Sequence, residues 1–283
     1  MKQQKLAWIT GANGLIGNYL VQSAPQRAPG WRVRALTRAD FDLLDATAIR
    51  REYQRDRPQL VIHCAAITTV AEAQKNPALA WRVNLEATQL LSELSADGAF
   101  VFFSTDLVFD GRKGNYTETD APNPLHVYGE TKLAAEAAVL RCPRHLVVRT
   151  TINGGVSAGG RGFNEQLRCA VRQRGAKLFT DEFRCPIPAV ETARAVWDMA
   201  LKGCAGVYHV AGAEKMSRLQ LGELLVRRWP EVTGPLEAGS ARDFPGPARA
   251  LDTSLDISKA QRVLSVPLPG LSAWLAANPD VEF

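Results

Sequence analysis

Short apolar segments alternate with helical patterns along the first half of the chain, and this alternation constrains the fold more than any other feature. Five segments are short, apolar and strand-like: 6–9, 33–37, 60–65, 100–104 and 145–150. Helical spacing lies between them, at 15–23, 46–57, 78–95 and 125–140. Strands that alternate with helices form parallel sheets covered on both faces. The sequence therefore predicts an α/β fold with a Rossmann-type doubly wound parallel sheet.

The pattern changes after Thr150. Residues 153–162 are rich in glycine and predict a mobile loop, whereas 163–174 and 190–201 predict helices and 207–210 a strand. The pattern is irregular and proline-rich from Gly212 onward. We expect a Rossmann domain of residues 1–150 plus roughly 187–211. A smaller C-terminal domain, residues 151–186 plus 212–283, would cover the carboxyl ends of the strands, where such sheets bind ligands.

Composition and charge exclude several classes of protein. The 283 residues contain no apolar run near the ~18 residues that span a bilayer, and the polar N-terminus resembles no export signal. We therefore expect a cytoplasmic protein with no membrane partner. The net charge is +5, but the arginines are scattered, so we expect no nucleic-acid partner. The five cysteines form no C-x-x-C spacing, which predicts free thiols and no metal site.

A glycine-rich motif, residues 10–17, follows the first predicted strand directly and opens a helix. Such glycines permit a tight turn, a close approach of backbone to a pyrophosphate and close packing of helix on strand. The helix N-terminus then offers N–H groups and a partial positive charge to phosphate. The motif thus predicts a nicotinamide dinucleotide site. Its candidate binding residues are Gly11, Asn13, Gly14, Leu15, Ile16 and Gly17.

The end of the second predicted strand bears on the choice of cofactor. Arg38 stands where an acidic residue would bind the ribose hydroxyls of NAD, and an arginine there can pair with the 2′-phosphate of NADP. We therefore expect NADP(H) to be preferred, with NAD(H) as the other possible cofactor. Asp40 lies close by in the sequence and weakens this argument for NADP.

A tyrosine and a lysine lie four residues apart on one predicted helix. Tyr128 and Lys132 would share a helix face, and a neighbouring ammonium is expected to lower the pKa of a phenol toward neutrality. Ser104 and Thr105 end a predicted strand, where a hydroxyl can hydrogen-bond a substrate carbonyl. Together these residues predict proton delivery to a carbonyl oxygen.

Several segments carry a resemblance to a known family. They are 10–17, 63–66, 104–109, 118–120, 124–134 and 148–150, with weaker matches at 181–186, 206–212 and 249–256. In these segments the chain resembles an extended short-chain dehydrogenase/reductase, and more closely the dTDP-4-dehydrorhamnose reductase branch. The resemblance runs over nearly the whole chain.

The resemblance implies roles for individual residues. Thr105, Tyr128 and Lys132 would form the catalytic triad, and Tyr128 and Lys132 would also contact the cofactor. Further cofactor contacts would come from Gly14, Leu15, Ile16, Asp42, Leu43, Ala65 and Ala66. Thr105, Asp106 and Ile152 would face the substrate.

Three departures from the branch concern the substrate pocket. Leu107 stands where the branch has tyrosine, and Ile152 stands where it has tryptophan. Residues 153–155 replace a tyrosine-containing segment. Loss of aromatic surface removes stacking worth roughly 0.5–1.5 kcal/mol. We therefore expect dTDP-sugars to bind weakly, and the preferred substrate to be smaller or to carry a different head group.

The sequence is compatible with three functions. The first is a reductase of a keto sugar, nucleotide-linked, in carbohydrate biosynthesis. The second is a sugar-nucleotide epimerase or dehydratase on the same frame; Leu107, where dehydratases carry glutamate, argues against a dehydratase. The third is a non-catalytic NADP-binding regulatory subunit, as one relative of the branch is. The retained Thr105, Tyr128 and Lys132 favour an enzyme over a regulatory subunit. The reductase is the preferred function, and a homodimer is a possible assembly.

Overall fold

A six-stranded, all-parallel sheet lies at the centre of the computed structural model, which describes residues 4–160 and 162–283. Its strands are β1 (Lys5–Thr10), β2 (Trp31–Leu36), β3 (Leu60–His63), β4 (Ala99–Thr105), β5 (Leu146–Thr150) and β10 (Gly206–His209). The strand order is β10-β5-β4-β3-β1-β2. This order confirms the Rossmann-type α/β fold, because the chain returns to the centre of the sheet after β2 and then extends it in the other direction.

Helices cover both faces of this sheet. The α-helices of the described chain, which include α7, α9 and α11 outside the central sheet, are α1 (Leu15–Arg27), α2 (Ala46–Asp56), α3 (Val70–Lys75), α4 (Pro77–Trp81), α5 (Ala87–Leu94), α6 (Val127–Val139), α7 (Phe163–Arg174), α8 (Ala189–Leu201), α9 (Arg218–Val226), α10 (Ser258–Val263) and α11 (Leu271–Ala277). Successive strand residues point to opposite faces. Ile9 of β1 therefore packs in the core beneath α1 and α8, whereas its neighbour Trp8 packs in the core with α2 and α5.

The remaining strands are short and lie outside the central sheet. They are β6 (Asn153–Gly154), β7 (Ala176–Phe179), β8 (Phe183–Arg184), β9 (Ile187–Pro188), β11 (Met216–Ser217) and β12 (Leu236–Gly239). They form the pairs β6–β9, β7–β12 and β8–β11. A third apolar core lies among them and includes Leu167, Leu225, Trp229 and Trp274.

The division of the chain into two domains stays a prediction. The third core draws its buried members from residues 167–283, as a separate smaller domain would. Leu255, Ala260 and Leu268, however, pack into the core beneath the central sheet. The stretch around residues 255–268 thus contributes to the packing of the larger part.

Five sequence-based expectations about individual elements are corrected by the structure. The helix expected at 78–95 contains a π-helical turn, Arg82–Glu86, between α4 and α5. The strand expected at 60–65 ends at His63, and the one expected at 33–37 ends at Leu36. The loop expected at 153–162 begins with β6, whose two residues are buried; residue 161 lies outside the described residues. The irregular region after Gly212 contains α9, α10 and α11.

Among the described residues, no helix is long and apolar enough to cross a membrane. All five cysteines are free.

Candidate active site

The glycine-rich turn between β1 and α1 brings the backbone close to the loop after β3. Gly11 has a φ of +65°, and a Cβ placed there would lie 2.7 Å from the amide nitrogen of Ala65. A Cβ on Gly17 would lie 2.3 Å from the carbonyl oxygen of Gly11, so α1 packs directly against the turn. Gly14 precedes α1 as its N-cap in an extended conformation. The sequence of the motif therefore fixes both the turn and the start of the helix.

The N-terminus of α1 presents backbone donors at this turn. The first N–H groups of a helix have no partner within the helix, which suits Leu15, Ile16 and Gly17 to phosphate binding. Ala65 and Ala66, which follow β3, are partly exposed on the other side of Gly11. The structure thus brings together these candidate cofactor residues from two strand ends.

A buried histidine links the two strand ends. His63 Nδ1 lies 2.7 Å from the Thr10 hydroxyl, and His63 Nε2 lies 3.1 Å from the hydroxyl of Thr88 on α5. Burial lowers the pKa of His63 to about 3, so the ring is neutral near pH 7. His63 therefore holds the ends of β1 and β3 and helix α5 together through these two contacts. Its ring does not change protonation state in the neutral range.

Arg38 lies in the turn after β2 with an exposed side chain. It makes no hydrogen bond or ion pair with residues 4–160 or 162–283. Asp40 accepts hydrogen bonds from the backbone and hydroxyl of Thr37, and its nearest cationic partner is Arg34 at 3.8 Å. Asp40 therefore does not pair with Arg38, whose guanidinium remains available to a ligand.

Two further candidate cofactor residues follow this turn. Asp42 is exposed, and its side chain accepts a hydrogen bond from the backbone of Leu44 at 2.9 Å. Leu43 is half-buried and packs on the core with α2 and α5. Asn13, in the glycine-rich turn, is exposed.

The candidate catalytic residues meet at the carboxyl end of β4. Thr105 is its last residue, and its side chain lies near enough to the phenol of Tyr128 to lower the pKa of that phenol. Tyr128 and Lys132 lie one turn apart on α6 and are 8% and 3% exposed. The Lys132 ammonium lies over the ring of Phe102, 4.0 Å from its centre.

The expected lowering of the Tyr128 pKa by Lys132 is wrong for this structure. Burial raises the pKa of Tyr128 to about 12, with the nearby Asp106 carboxylate acting in the same direction and the hydrogen bond with Thr105 opposing it. Burial also lowers the pKa of Lys132 to about 7, although the carboxylate of Glu136 raises it. Both shifts arise because a low-dielectric environment disfavours the charged form. Near neutral pH the phenol therefore keeps its proton.

Asp106 is the centre of a buried hydrogen-bond network. One of its oxygens, Oδ1, accepts a hydrogen bond from the hydroxyl of Thr105 at 3.2 Å. The other, Oδ2, accepts from Thr151 at 2.8 Å and Thr253 at 2.9 Å, and lies 3.3 Å from Nε of Arg184. Asp106 therefore joins the Thr105 hydroxyl to the region after Thr150. Its direct contact with substrate stays a prediction.

Two of the three departures from the related branch pack in different apolar clusters. Leu107 packs with Tyr128 in a small apolar cluster that also contains Ile67 and Ala80. Ile152 is half-buried against the third core, and its carbonyl accepts a hydrogen bond from Ile187. Ile152 is thus held by packing, and its role toward substrate stays a prediction.

Sequence reasoning missed several polar residues of the site. Thr151, Arg184 and Thr253, which surround Asp106, come from three separate parts of the chain. Asn84 in the π-helical turn hydrogen-bonds the backbone of Ile67 and the hydroxyl of Thr131. The weaker family matches at 181–186 and 249–256 were the available signal for two of them.

The chain is similar to known proteins along most of its length. The family model described as the RmlD substrate binding domain matches residues 6–277. A dTDP-4-dehydrorhamnose reductase of Sinorhizobium fredii is 30% identical over 92% of each chain. The methionine adenosyltransferase 2 subunit beta of Danio rerio is 29% identical over 75% of this chain and 70% of its own. A crystal structure of Bacillus anthracis dTDP-4-dehydrorhamnose reductase in complex with NADP has a TM-score of 0.89 at 22% identity, covering 97% and 98% of the chains.

Proposed function

Since the chain belongs to the RmlD substrate binding domain family, we propose that it is an NAD(P)-dependent oxidoreductase that reduces the carbonyl of a nucleotide-linked keto sugar. The observation that carries this proposal is the grouping of Thr105, Tyr128 and Lys132 at the same edge of the parallel sheet as the glycine-rich turn. A protonated phenol, a hydroxyl and a dinucleotide cradle at one edge of a parallel sheet are the groups that carbonyl reduction needs.

The cradle fits a dinucleotide. A Cβ would collide with backbone at Gly11 and Gly17, so the space that glycine leaves lets backbone amides approach a diphosphate. The exposed Arg38 would pair with the 2′-phosphate of NADP, which favours NADP(H) over NAD(H). When bound, the reduced nicotinamide supplies the hydride.

The protein residues would supply the proton. The Tyr128 phenol, whose pKa is raised to about 12, holds a proton near neutral pH and would donate it from Oη to the substrate oxygen. Thr105 would orient that oxygen, which requires its hydroxyl to turn from Asp106 toward the substrate. Lys132, one turn along α6, would stabilise the phenolate that remains after the transfer.

A substrate panel tests the proposal. We expect NADPH oxidation with a nucleotide-linked 4-keto sugar, and slower oxidation with the same sugar lacking the nucleotide or with a simple ketone. NADH in place of NADPH is the matched control for the cofactor, and we expect it to support slower turnover. Tight NADPH binding without reduction of any carbonyl in the panel would contradict a reductase and would favour a cofactor-binding subunit instead.

A further inference from the structure

The aromatic ring of Phe283 is buried in the third apolar core, where it is 3% exposed. The segment before it is held by the guanidinium of Arg228, which donates hydrogen bonds to four backbone carbonyls. They are those of Leu275, Asn278, Pro279 and Val281. Glu282 also pairs with Arg168 at 2.7 Å. The ring is therefore fixed by the contacts of the preceding residues as well as by its own packing.

This ring lies on Gly154 of β6. A Cβ on Gly154 would lie 2.2 Å from Cε1 of Phe283, and the three atoms nearest to such a Cβ all belong to that ring. Gly154 does not have a positive φ, so its backbone conformation does not require glycine. The ring therefore occupies the space that a side chain at position 154 would need. Residues 153–155 are also the third departure from the related branch, so Phe283 fills the room at that departure.

Strand β6 is connected to the Thr105 hydroxyl by hydrogen bonds. Asn153 donates to the carbonyl of Thr151 at 3.0 Å. The Thr151 hydroxyl donates to Asp106 at 2.8 Å, and Asp106 accepts from Thr105 at 3.2 Å. Asn153 is itself buried, and its Oδ1 accepts from the hydroxyl of Thr192 on α8 at 2.6 Å. A displacement of β6 would therefore reach the Thr105 hydroxyl through this network.

We propose that Phe283 is a positioning residue for carbonyl reduction. Its ring holds β6 in place, and β6 holds Thr151, Asp106 and Thr105 in the geometry that the reaction needs. This proposal rests on the proposed function, in which Thr105 orients the substrate oxygen. Phe283 acts through β6 and not on the reacting atoms. A misplacement of about 1 Å that starts far from the reacting atoms can slow a reaction about 10²-fold.

The single-turnover rate of NADPH-loaded protein with a nucleotide-linked 4-keto sugar tests this role, because it counts only molecules that are folded and hold the cofactor. We expect Phe283→Ala to bind NADPH normally and to react about 10- to 100-fold more slowly than wild type. Phe283→Leu, which still fills much of the space, should react within about threefold of wild type. Leu225→Ala is the matched control, since Leu225 lies in the same core on α9, which packs on β7, β11 and β12. It should lower stability and leave this rate unchanged.

A double variant tests the contact between the ring and β6. Gly154→Ala alone should slow the same turnover, because its methyl group collides with the ring of Phe283. Gly154→Ala combined with Phe283→Ala should react no more slowly than Phe283→Ala alone, since the methyl group then meets no ring. If the two effects multiply, the substitutions act independently and the proposed contact is overturned.

Amide hydrogen exchange gives a second readout, which does not need the reaction. The amide of Ile187 on β9 donates to the carbonyl of Ile152, the residue before β6. We expect this amide to exchange about tenfold or more faster in Phe283→Ala, whereas the amides of β1 should keep their wild-type rates. Unchanged exchange at Ile187 overturns the hold of Phe283 on β6.

The combined outcomes separate this inference from the proposed function. Faster exchange at Ile187 with a wild-type turnover rate overturns the positioning role. If Phe283→Ala does not fold, Gly154→Ala decides the question by the same two measurements. A wild-type protein that binds NADPH but reduces no keto sugar would instead contradict the proposed function, and exchange at Ile187 would still decide whether Phe283 holds β6.

Discussion

Tyr128 and Lys132 show how burial prepares two side chains for their roles. Both are almost fully buried. Burial raises the pKa of Tyr128 to about 12 and lowers that of Lys132 to about 7, because it disfavours the charged form of each. A buried ammonium destabilises the fold, because the unfolded chain solvates that charge. Protonation of Lys132 therefore lowers the stability of the folded protein. Residues of functional sites often lower stability in this way.

This cost predicts how Lys132→Met changes stability with pH. The folded-state pKa of Lys132 is about 7, below its ordinary value of 10.5, so the unfolded chain binds the extra proton between those two values and wild-type stability rises with pH there. We expect the variant without cofactor to be more stable than wild type by roughly 2–4 kcal/mol at pH 6, with the advantage shrinking toward pH 10. Denaturant unfolding measures it, with the exposed Lys75→Met as control. An advantage that does not change with pH would contradict the assigned shift.

A single exposed residue, Arg38, is expected to determine the preference for NADPH over NADH. Loss of a guanidinium that pairs with the 2′-phosphate costs a charged hydrogen bond, about 1.5–3 kcal/mol. We expect Arg38→Ala to weaken NADPH binding by about 10- to 100-fold and to leave NADH binding unchanged. Arg32→Ala, an exposed arginine on β2, is the matched control. If both variants bind NADPH as wild type does, Arg38 is not the determinant of preference.

The elements that hold the site were predictable to different degrees. Strand β1, the glycine-rich turn and α1 follow from local pattern alone, as does α6. The π-helical turn at Arg82–Glu86 was not predictable, because the apolar spacing on each side of it is that of an ordinary helix and changes at this one turn only. Helices α9 to α11 were hidden by prolines, yet the prolines at 230, 235, 267 and 269 lie between these helices and interrupt none of them.

The packing of α1 on its preceding turn predicts a clear difference between two glycines. A Cβ on Gly17 would lie 2.3 Å from the carbonyl oxygen of Gly11, whereas a Cβ on Gly30 would have no atom within 4 Å. We expect Gly17→Ala to displace α1, to lower the free energy of unfolding by roughly 1–3 kcal/mol and to weaken NADP binding about tenfold or more. Gly30→Ala should change neither quantity. Equal behaviour of the two variants in thermal unfolding and NADP titration would contradict this packing.

Across the whole molecule, the sheet was predictable and the site around Asp106 was not. The alternation of strands and helices determines which strand ends share an edge of the sheet, and so it placed Thr105 near the glycine-rich turn. Arg184 contacts the carboxylates of Asp106 and Glu182. Glu182 also contacts Arg218 and Arg249, and Asp106, Glu182, Arg218 and Arg249 are separated by 31 to 143 positions in the sequence. No local spacing connects such residues, and only the folding of the later segments over the sheet brings them together.

The central claim is that Tyr128 delivers the proton in carbonyl reduction. Single-turnover NADPH oxidation with a nucleotide-linked 4-keto sugar, in wild type and Tyr128→Phe, tests it most directly. We expect the variant to bind NADPH normally and to react about 10²–10⁴-fold more slowly, as loss of a general acid requires. Tyr53→Phe, a tyrosine of α2, should react at the wild-type rate. A Tyr128→Phe rate within a few-fold of wild type would contradict the account.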